Sequence, residues 1–168
     1  FLVLSQHPVT TEYEQSMQHI LNSLEALKII GMPTLVFWPN SDAGSDGVSK
    51  GIRLFREKNK MINFFFIKNL STNHYLNILN HTKCLIGNSS SGIIEAASFG
   101  KFVYNLGNRQ SGRISNGNTF TMPFESEPIL RSIADLEKKG LDYEGENIYH
   151  QKNVPENLTQ ILKHFLGV

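Results

Sequence analysis

The sequence predicts an α/β domain in which a parallel β-sheet carries helices on both faces. Short apolar runs alternate along the chain with longer segments whose apolar residues recur at helical spacing. Segments rich in glycine and polar residues follow directly after the apolar runs. Repeated strand–helix units of this kind build parallel sheets, because a parallel partner strand is reached only through a crossover connection.

The first unit shows how each element is identified. Residues 1–4 form a short apolar run typical of a buried strand, and residues 12–30 repeat apolar side chains at helical spacing until Gly31 and Pro33 end the pattern. The same reasoning predicts the remaining elements. They are strands at 34–38, 62–67, 83–86, 102–105 and 118–122, and helices at 47–59, 72–80, 90–99, 126–139 and 155–166, with 140–154 as a polar loop.

Composition narrows the class of protein. The chain has 168 residues, enough for one well-cored domain, and a formal net charge of +1, which gives no broad electrostatic case for nucleic acid or a membrane surface. Cys84 is the single cysteine and lies in an apolar run, which suits a reducing, cytoplasmic compartment. The histidines show no metal-ligand spacing, so we expect no metal. The chain begins at Phe1, and we expect it to be part of a longer protein.

The segment 87–92, Gly-Asn-Ser-Ser-Ser-Gly, resembles a phosphate cradle. It follows a predicted buried strand and opens a helical segment, where free N–H groups and serine hydroxyls attract phosphate oxygens. A P-loop is excluded because Ile93 and Ile94 replace the Lys and Ser/Thr that should follow the second glycine. A nucleophile elbow is excluded because neither Ser89 nor Ser90 has glycines on both sides at the required spacing. The serines are therefore predicted to bind a ligand, with a serine-rich helix cap as the alternative.

Glu95 lies one turn into the same helical segment, between apolar residues. A partly buried carboxylate needs a partner, and a ribose diol suits it because the carboxylate accepts hydrogen bonds from both hydroxyls. An ion pair with a basic residue such as Arg109 is the alternative, and spacing does not choose between the two. Arg109 and Arg113 add positive charge after the fifth predicted strand.

Polar residues follow each predicted strand where it ends. In a parallel sheet these ends meet at one edge, where ligands bind. His7 follows the first strand, and it is either a structural hydrogen-bonding group or a donor or general acid toward a phosphate. Asn40 follows the second strand, and Asn69–Leu70 follows the third.

Four motifs together resemble the UDP-N-acetylglucosamine 2-epimerases, most closely the hydrolysing branch. They span about residues 1 to 120 and are His-Pro-Val-Thr at 7–10, Pro-Asn-Ser-Asp-Ala-Gly at 39–44, the serine–glycine segment with Glu95 at 87–95, and Asn-Leu-Gly-Asn-Arg-Gln-Ser-Gly-Arg at 105–113. The resemblance implies two Rossmann-like domains of glycosyltransferase-B type with substrate between them. This chain, 1–168, would be the C-terminal, nucleotide-binding domain.

The resemblance also implies a role for each matched residue. Ser89 and Ser90 would hold the diphosphate, Glu95 the ribose, and Arg109 the phosphate side of the nucleotide.

The remaining matched residues would complete the cleft. Gln110 and Arg113 would support the Arg109 loop, His7 and Asn40 would line the cleft, and the Asn69–Leu70 turn would meet the uracil.

The family chemistry eliminates UDP to leave a glycal-like intermediate and then adds water with inversion at C2, using neither NAD nor a mandatory metal. Residues 7–10 lack the His-Arg-Arg-Glu pattern of the non-hydrolysing branch, which favours hydrolysis to N-acetylmannosamine and UDP. Some hydrolysing relatives carry lysine at the position of Asp46. The expected partners are a UDP-sugar, a missing N-terminal domain that holds the catalytic acids, and further copies in a homo-oligomer. The alternatives are a glycosyltransferase half, a non-hydrolysing epimerase and a nucleotide-sugar sensor.

Overall fold

A computed structural model describes residues 1–60, 63–140 and 142–167. Within these residues six parallel strands form one sheet. The strands are β1 (Leu2–Ser5), β2 (Thr34–Phe37), β3 (Phe64–Ile67), β4 (Cys84–Gly87), β5 (Phe102–Leu106) and β6 (Thr119–Met122). The α-helices are α1 (Ser16–Ile30), α2 (Ser45–Lys58), α3 (Thr72–His81), α4 (Ser90–Ile94), α5 (Ser126–Lys139) and α6 (Val154–Leu166), with 3₁₀ helices at Thr10–Gln15 and Ala96–Phe99.

The strand order is β3-β2-β1-β4-β5-β6. The chain therefore moves outward from β1 to β3 and then returns, so that β4 pairs with the other side of β1. This is the order of the Rossmann fold, and the reversal between β1 and β4 is the point where such sheets bind ligands.

The two faces of the sheet bury separate hydrophobic cores. Successive side chains of a strand point to opposite faces, so Leu2 and Leu4 of β1 pack into the core that also contains buried residues of α1, α2 and α5. Val3 packs into the second core, with Leu79 of α3 and Ala96 of the 3₁₀ helix after α4. Helices thus cover both faces, and the predicted fold class is confirmed.

Two predicted helices are wrong in detail. The segment 12–30 begins as a 3₁₀ helix, and the α-helix starts only at Ser16, because Glu12 leaves helical geometry at φ −130° and ψ 27°. The segment 90–99 divides at Glu95 into a short α-helix and a 3₁₀ turn. Gly100, at φ 66°, then reverses the chain into β5.

The remaining boundaries agree with the predictions within a few residues. The strand predicted at 62–67 is described from Phe64 onward, because residues 61 and 62 lie outside the described part of the chain. The strand predicted at 118–122 forms the parallel edge strand β6. All of α6 is exposed, including apolar side chains such as Ile161 and Phe165. None of the described helices is long and apolar enough to cross a bilayer.

Two glycines allow the close packing at the β1–β4 boundary. A Cβ on Gly87, which has φ 127°, would lie 2.1 Å from the carbonyl oxygen of Ser5 on β1. A Cβ on Gly92 would lie 2.8 Å from Val103 and 2.9 Å from Leu85, so the absence of a side chain lets α4 rest directly on β4 and β5. These glycines place the serine segment close to the end of β1.

The first prediction concerns Gly87. We expect Gly87→Ala to lower the free energy of unfolding by about 3 kcal/mol or more, because the new methyl group meets backbone that cannot rotate away. Urea unfolding measures the loss. Gly31→Ala is the matched control, since Gly31 also has a positive φ of 73° but no atom within 4 Å of the added Cβ, and it should cost only about 1 kcal/mol. Equal losses for the two variants would contradict the steric explanation.

Candidate functional site

The buried amide of Asn88 connects the ends of β1 and β4. The backbone N–H of His7 donates to Asn88 Oδ1 at 2.7 Å, and Asn88 Nδ2 donates to the carbonyl oxygen of His7 at 3.0 Å. Asn88 is fully buried. The pairing of the two strands ends at Ser5 and Gly87. Beyond that point, this reciprocal pair of hydrogen bonds satisfies the backbone N–H and C=O of the buried residue His7.

The carbonyl oxygen of Asn88 accepts two hydrogen bonds from the loop that follows β5. It accepts hydrogen bonds from Arg109 Nη1 at 3.1 Å and from Gln110 Nε2 at 2.8 Å. Arg109 Nη2 also forms an ion pair with Asp42 Oδ2 at 3.1 Å. Arg109 therefore pairs with Asp42, which removes Arg109 as the ion-pair partner that the sequence suggested for Glu95.

His7 lies beside this ion pair and is neutral at physiological pH. Its Nδ1 accepts the backbone N–H of Asn40 at 3.3 Å, so the ring proton of the neutral imidazole is on Nε2. Burial, together with the positive charge of Arg109, lowers the pKa of His7 from 6.5 to about 4, although the carboxylate of Asp42 opposes both. His7 can donate a hydrogen bond through Nε2 without carrying a positive charge.

The serine segment begins α4. Ser89 is the N-cap residue, and its Oγ accepts the backbone N–H of Ser91 at 3.4 Å. Ser90 is the first residue of α4 and is half-buried. Because α4 has five residues, its dipole is small, and any attraction for an anion depends mainly on local N–H and hydroxyl groups.

Glu95 ends α4 and has a buried carboxylate oxygen without a partner. Glu95 Oε2 is inaccessible to solvent and forms no hydrogen bond with the described residues. Burial raises the pKa of Glu95, and a backbone hydrogen bond partly opposes this. A buried oxygen in this state is costly, so hydroxyl donors from a ligand would stabilise it.

Tyr75 of α3 joins the same region. Its hydroxyl hydrogen-bonds Ser91 Oγ, which in turn lies 3.1 Å from Ser89 Oγ. Burial raises the pKa of Tyr75, hydrogen bonding with Ser91 lowers it, the charge of Glu95 raises it, and interaction with Ser89 lowers it. Tyr75 and Glu95 are therefore close enough to interact electrostatically.

Three residues singled out in the sequence stand apart from this cluster. Leu70, after β3, is 38% exposed, and the side chain of Arg113 is exposed beyond the turn in which its N–H donates to Gln110. Asp46 is exposed in the first turn of α2. No contact joins any of the three to His7, Asn88 or Glu95 in the described structure. Their predicted roles stay predictions.

A cavity of about 630 Å³ opens between the loops after β1, β2 and β5. Its lining includes Pro8, Asp42 and Arg109. A second cavity of about 690 Å³ lies beside His19 and Phe124. Its lining contains the carboxylates of Glu12 and Glu125 but neither lysine nor arginine. The first cavity therefore has a cationic side chain that the second lacks, although Ser89, Ser90 and Glu95 do not line it.

A metal site is not indicated. The described residues contain no group of three or more His, Cys, Asp or Glu side chains arranged to hold a metal ion.

Sequence reasoning assigned no role of their own to three residues that make contacts at the candidate site. Asn88 was included in the serine motif without a role of its own, although its place directly after a buried strand was a usable signal. Asp42 lies in the Asn40 loop, but its pairing with Arg109 joins residues 67 apart in the chain. Tyr75 falls in the helix predicted at 72–80, and nothing in the local sequence indicates its contact with Ser91.

The second prediction uses the lowered pKa of His7. Between pH 6.5 and about 4 the unfolded chain binds a proton at this residue that the folded chain does not. The free energy of unfolding should therefore fall as pH drops through this window, with a contribution from His7 of about 3 kcal/mol. Urea unfolding from pH 7 to pH 4 measures it.

His7→Asn should reduce that pH dependence, although its overall stability is lower because the ring is lost. The same substitution at the exposed His150 is the matched control and should leave the pH dependence unchanged. If the stability of His7→Asn depends on pH as strongly as that of the wild type, groups other than His7 cause the dependence.

The chain is similar over nearly its whole length to known proteins. The model of the family described as UDP-N-acetylglucosamine 2-epimerase matches residues 1–163. The polysialic acid biosynthesis protein P7 of Escherichia coli is 28% identical over 99% of this chain and 43% of its own length. The UDP-N,N'-diacetylbacillosamine 2-epimerase (hydrolyzing) of Legionella pneumophila is 29% identical over 96% of this chain and 42% of its own length.

A solved structure extends the likeness to the fold. The crystal structure of the Methanocaldococcus jannaschii UDP-GlcNAc 2-epimerase with UDP-GlcNAc and UDP has a TM-score of 0.73 at 12% identity, over 98% of this chain and 45% of that one. The chain thus spans less than half the length of these relatives. With the family model matching nearly its whole length, the chain belongs to the UDP-N-acetylglucosamine 2-epimerase family.

Proposed function

We propose that this chain binds the UDP part of a UDP-sugar, as the C-terminal, nucleotide-binding half of a hydrolysing UDP-N-acetylglucosamine 2-epimerase. The observation that carries the proposal is the unpaired, buried carboxylate oxygen of Glu95 beside the serine turn at the β1–β4 boundary. A ribose diol supplies hydroxyl donors of the kind that this oxygen lacks. An ordinary structural glutamate would have its partner within the protein.

The phosphate end of the site combines hydroxyl groups with one arginine. Ser89 and Ser90 lie directly after Asn88, whose carbonyl oxygen holds the guanidinium of Arg109. Two of the five N–H donors of Arg109 are used by Asn88 and Asp42, so the others are available to a diphosphate. Gln110 contributes by fixing the loop, with its Nε2 on the same carbonyl oxygen.

His7 would act on the leaving group as a neutral donor. In the proposed reaction the C1–O bond breaks with its electron pair going to UDP, a proton leaves C2, and water then adds to the resulting glycal. Negative charge grows on the phosphate oxygen as the bond breaks, and the Nε2–H of a neutral imidazole can stabilise it. The groups that handle the C2 proton are assigned by this proposal to the other half of the protein.

Two features favour hydrolysis to a free sugar. Residues 7–10 lack the His-Arg-Arg-Glu pattern of the non-hydrolysing branch, and the Legionella relative is named a hydrolysing enzyme. The name of the E. coli relative supports N-acetylmannosamine for sialic acid synthesis. The name of the Legionella relative favours a 2,4-diacetamido sugar as the second candidate substrate.

The third prediction tests the role of Glu95. We expect Glu95→Gln to weaken UDP binding about ten- to a hundredfold, because the charge-assisted hydrogen bonds to the ribose are lost. Binding of inorganic pyrophosphate, which has no ribose, should stay the same. Calorimetry with both ligands measures this, and Glu57→Gln on the exposed face of α2 is the matched control. Equal losses for the two ligands would mean that Glu95 supports the loop and does not contact the ribose.

The fourth prediction separates binding from catalysis. The 168-residue chain should bind UDP but release no sugar from UDP-N-acetylglucosamine, because the proposed catalytic acids lie in the other half. The full-length protein should release N-acetylmannosamine and UDP, as followed by NMR. Turnover by the 168-residue chain would show that the catalytic acids do not lie in the other half. UDP-N-acetylmannosamine as the final product of the full-length protein would indicate the non-hydrolysing branch.

A further inference from the structure

Three hydroxyl groups form a continuous chain from α3 to the start of α4. The Tyr75 hydroxyl contacts Ser91 Oγ, and Ser91 Oγ lies 3.1 Å from Ser89 Oγ. Ser89 Oγ also accepts the backbone N–H of Ser91 at 3.4 Å. The chain ends at Ser89, which the proposed function places against the diphosphate.

Either hydroxyl of each pair can be the donor, and one arrangement of the protons leaves Ser89 as a donor to a ligand. Each hydroxyl has one proton to donate and two positions at which it can accept. When Tyr75 donates to Ser91 and Ser91 donates to Ser89, Ser89 Oγ accepts from both the hydroxyl and the N–H of Ser91. Its acceptor positions are then filled and its own proton is free. A hydroxyl in this state can act only as a donor, which is what a phosphate oxygen requires.

The surroundings of Tyr75 support its role as the donor at the head of the chain. Burial and the charge of Glu95 raise the pKa of Tyr75 despite the opposing hydrogen bonds, so the phenol keeps its proton at neutral pH. The ring packs edge-on against Phe37, with 5.4 Å between centroids and 78° between planes. The backbone N–H of Tyr75 donates to the carbonyl oxygen of Ser71. Ring and backbone are both held, so the hydroxyl has a defined position.

We propose that Tyr75 is a positioning residue whose hydroxyl, acting through Ser91, turns Ser89 into a dedicated hydrogen-bond donor for the diphosphate of the ligand. This inference rests on the proposed function and adds to it a residue from a different helix. It also assigns Ser91 a role distinct from that of Ser89 and Ser90, since Ser91 transmits the orientation and does not itself contact the phosphate.

The test uses Tyr75→Phe, which keeps the ring and removes only the hydroxyl. Calorimetry is carried out on the 168-residue chain with UDP, inorganic pyrophosphate and uridine. We expect Tyr75→Phe to weaken UDP and pyrophosphate about two- to tenfold, the effect of one neutral hydrogen bond, and to leave uridine unchanged. Ser91→Ala should produce the same pattern. The double variant should lose no more than either single variant, because both break the same chain.

Tyr104→Phe is the matched control. The hydroxyl of Tyr104 donates to the carbonyl oxygen of Ser132, on the face of the sheet that α5 covers. Its removal should lower the melting temperature without changing any of the three affinities.

Each other outcome overturns a definite statement. Unchanged pyrophosphate affinity in Tyr75→Phe would remove Tyr75 from the phosphate site, and additive losses in the double variant would break the link through Ser91. Weaker uridine binding would mean that the hydroxyl contacts the nucleoside directly. Wild-type chain that binds none of the three ligands would overturn the proposed function itself, and the inference with it.

Discussion

The reciprocal hydrogen bonds between Asn88 and the backbone of His7 are the interaction on which the rest of the site depends. The ladder between β1 and β4 ends at Ser5 and Gly87, and beyond these residues the two segments leave the sheet. Where two buried segments leave a sheet, their backbone N–H and C=O groups would lose their hydrogen-bond partners. The Asn88 amide replaces the missing ladder bonds, so the strands part without that cost and both following loops start from fixed positions.

Asn88 also positions the charged side chains of Arg109 and Asp42. Its carbonyl oxygen holds Arg109, and Arg109 in turn holds Asp42 from the loop after β2. Both members of this ion pair are partly exposed, at 29% and 37% of their side chains, so the pair contributes little to stability. Its effect is to orient the guanidinium of Arg109, whose positive charge adds to burial in keeping His7 neutral against the opposing charge of Asp42. A phosphate would find a positioned cation beside an uncharged donor.

The serine turn differs from a helix-dipole phosphate site. The helix that follows it has five residues and breaks at Glu95, so the macrodipole contributes little. Gly92 instead lets the turn lie close against β4 and β5, and this closeness places Ser91 within reach of the Tyr75 hydroxyl on α3. The break at Glu95 also leaves its carboxylate beside the turn. Hydroxyl donors therefore take the place of the dipole that a longer helix would supply to an anion.

The sequence by itself determined the layered fold, the strand ends where ligands bind, and most candidate residues, because these follow from local periodicity and from short motifs. The tertiary structure decided which side chains meet. Arg109 was assigned to the phosphate side with Glu95 as a possible partner, yet it pairs with Asp42, and Tyr75 gave no local sign of its contact with Ser91. Such pairings join different loops and helices, so they depend on strand order and helix placement, which no local pattern encodes.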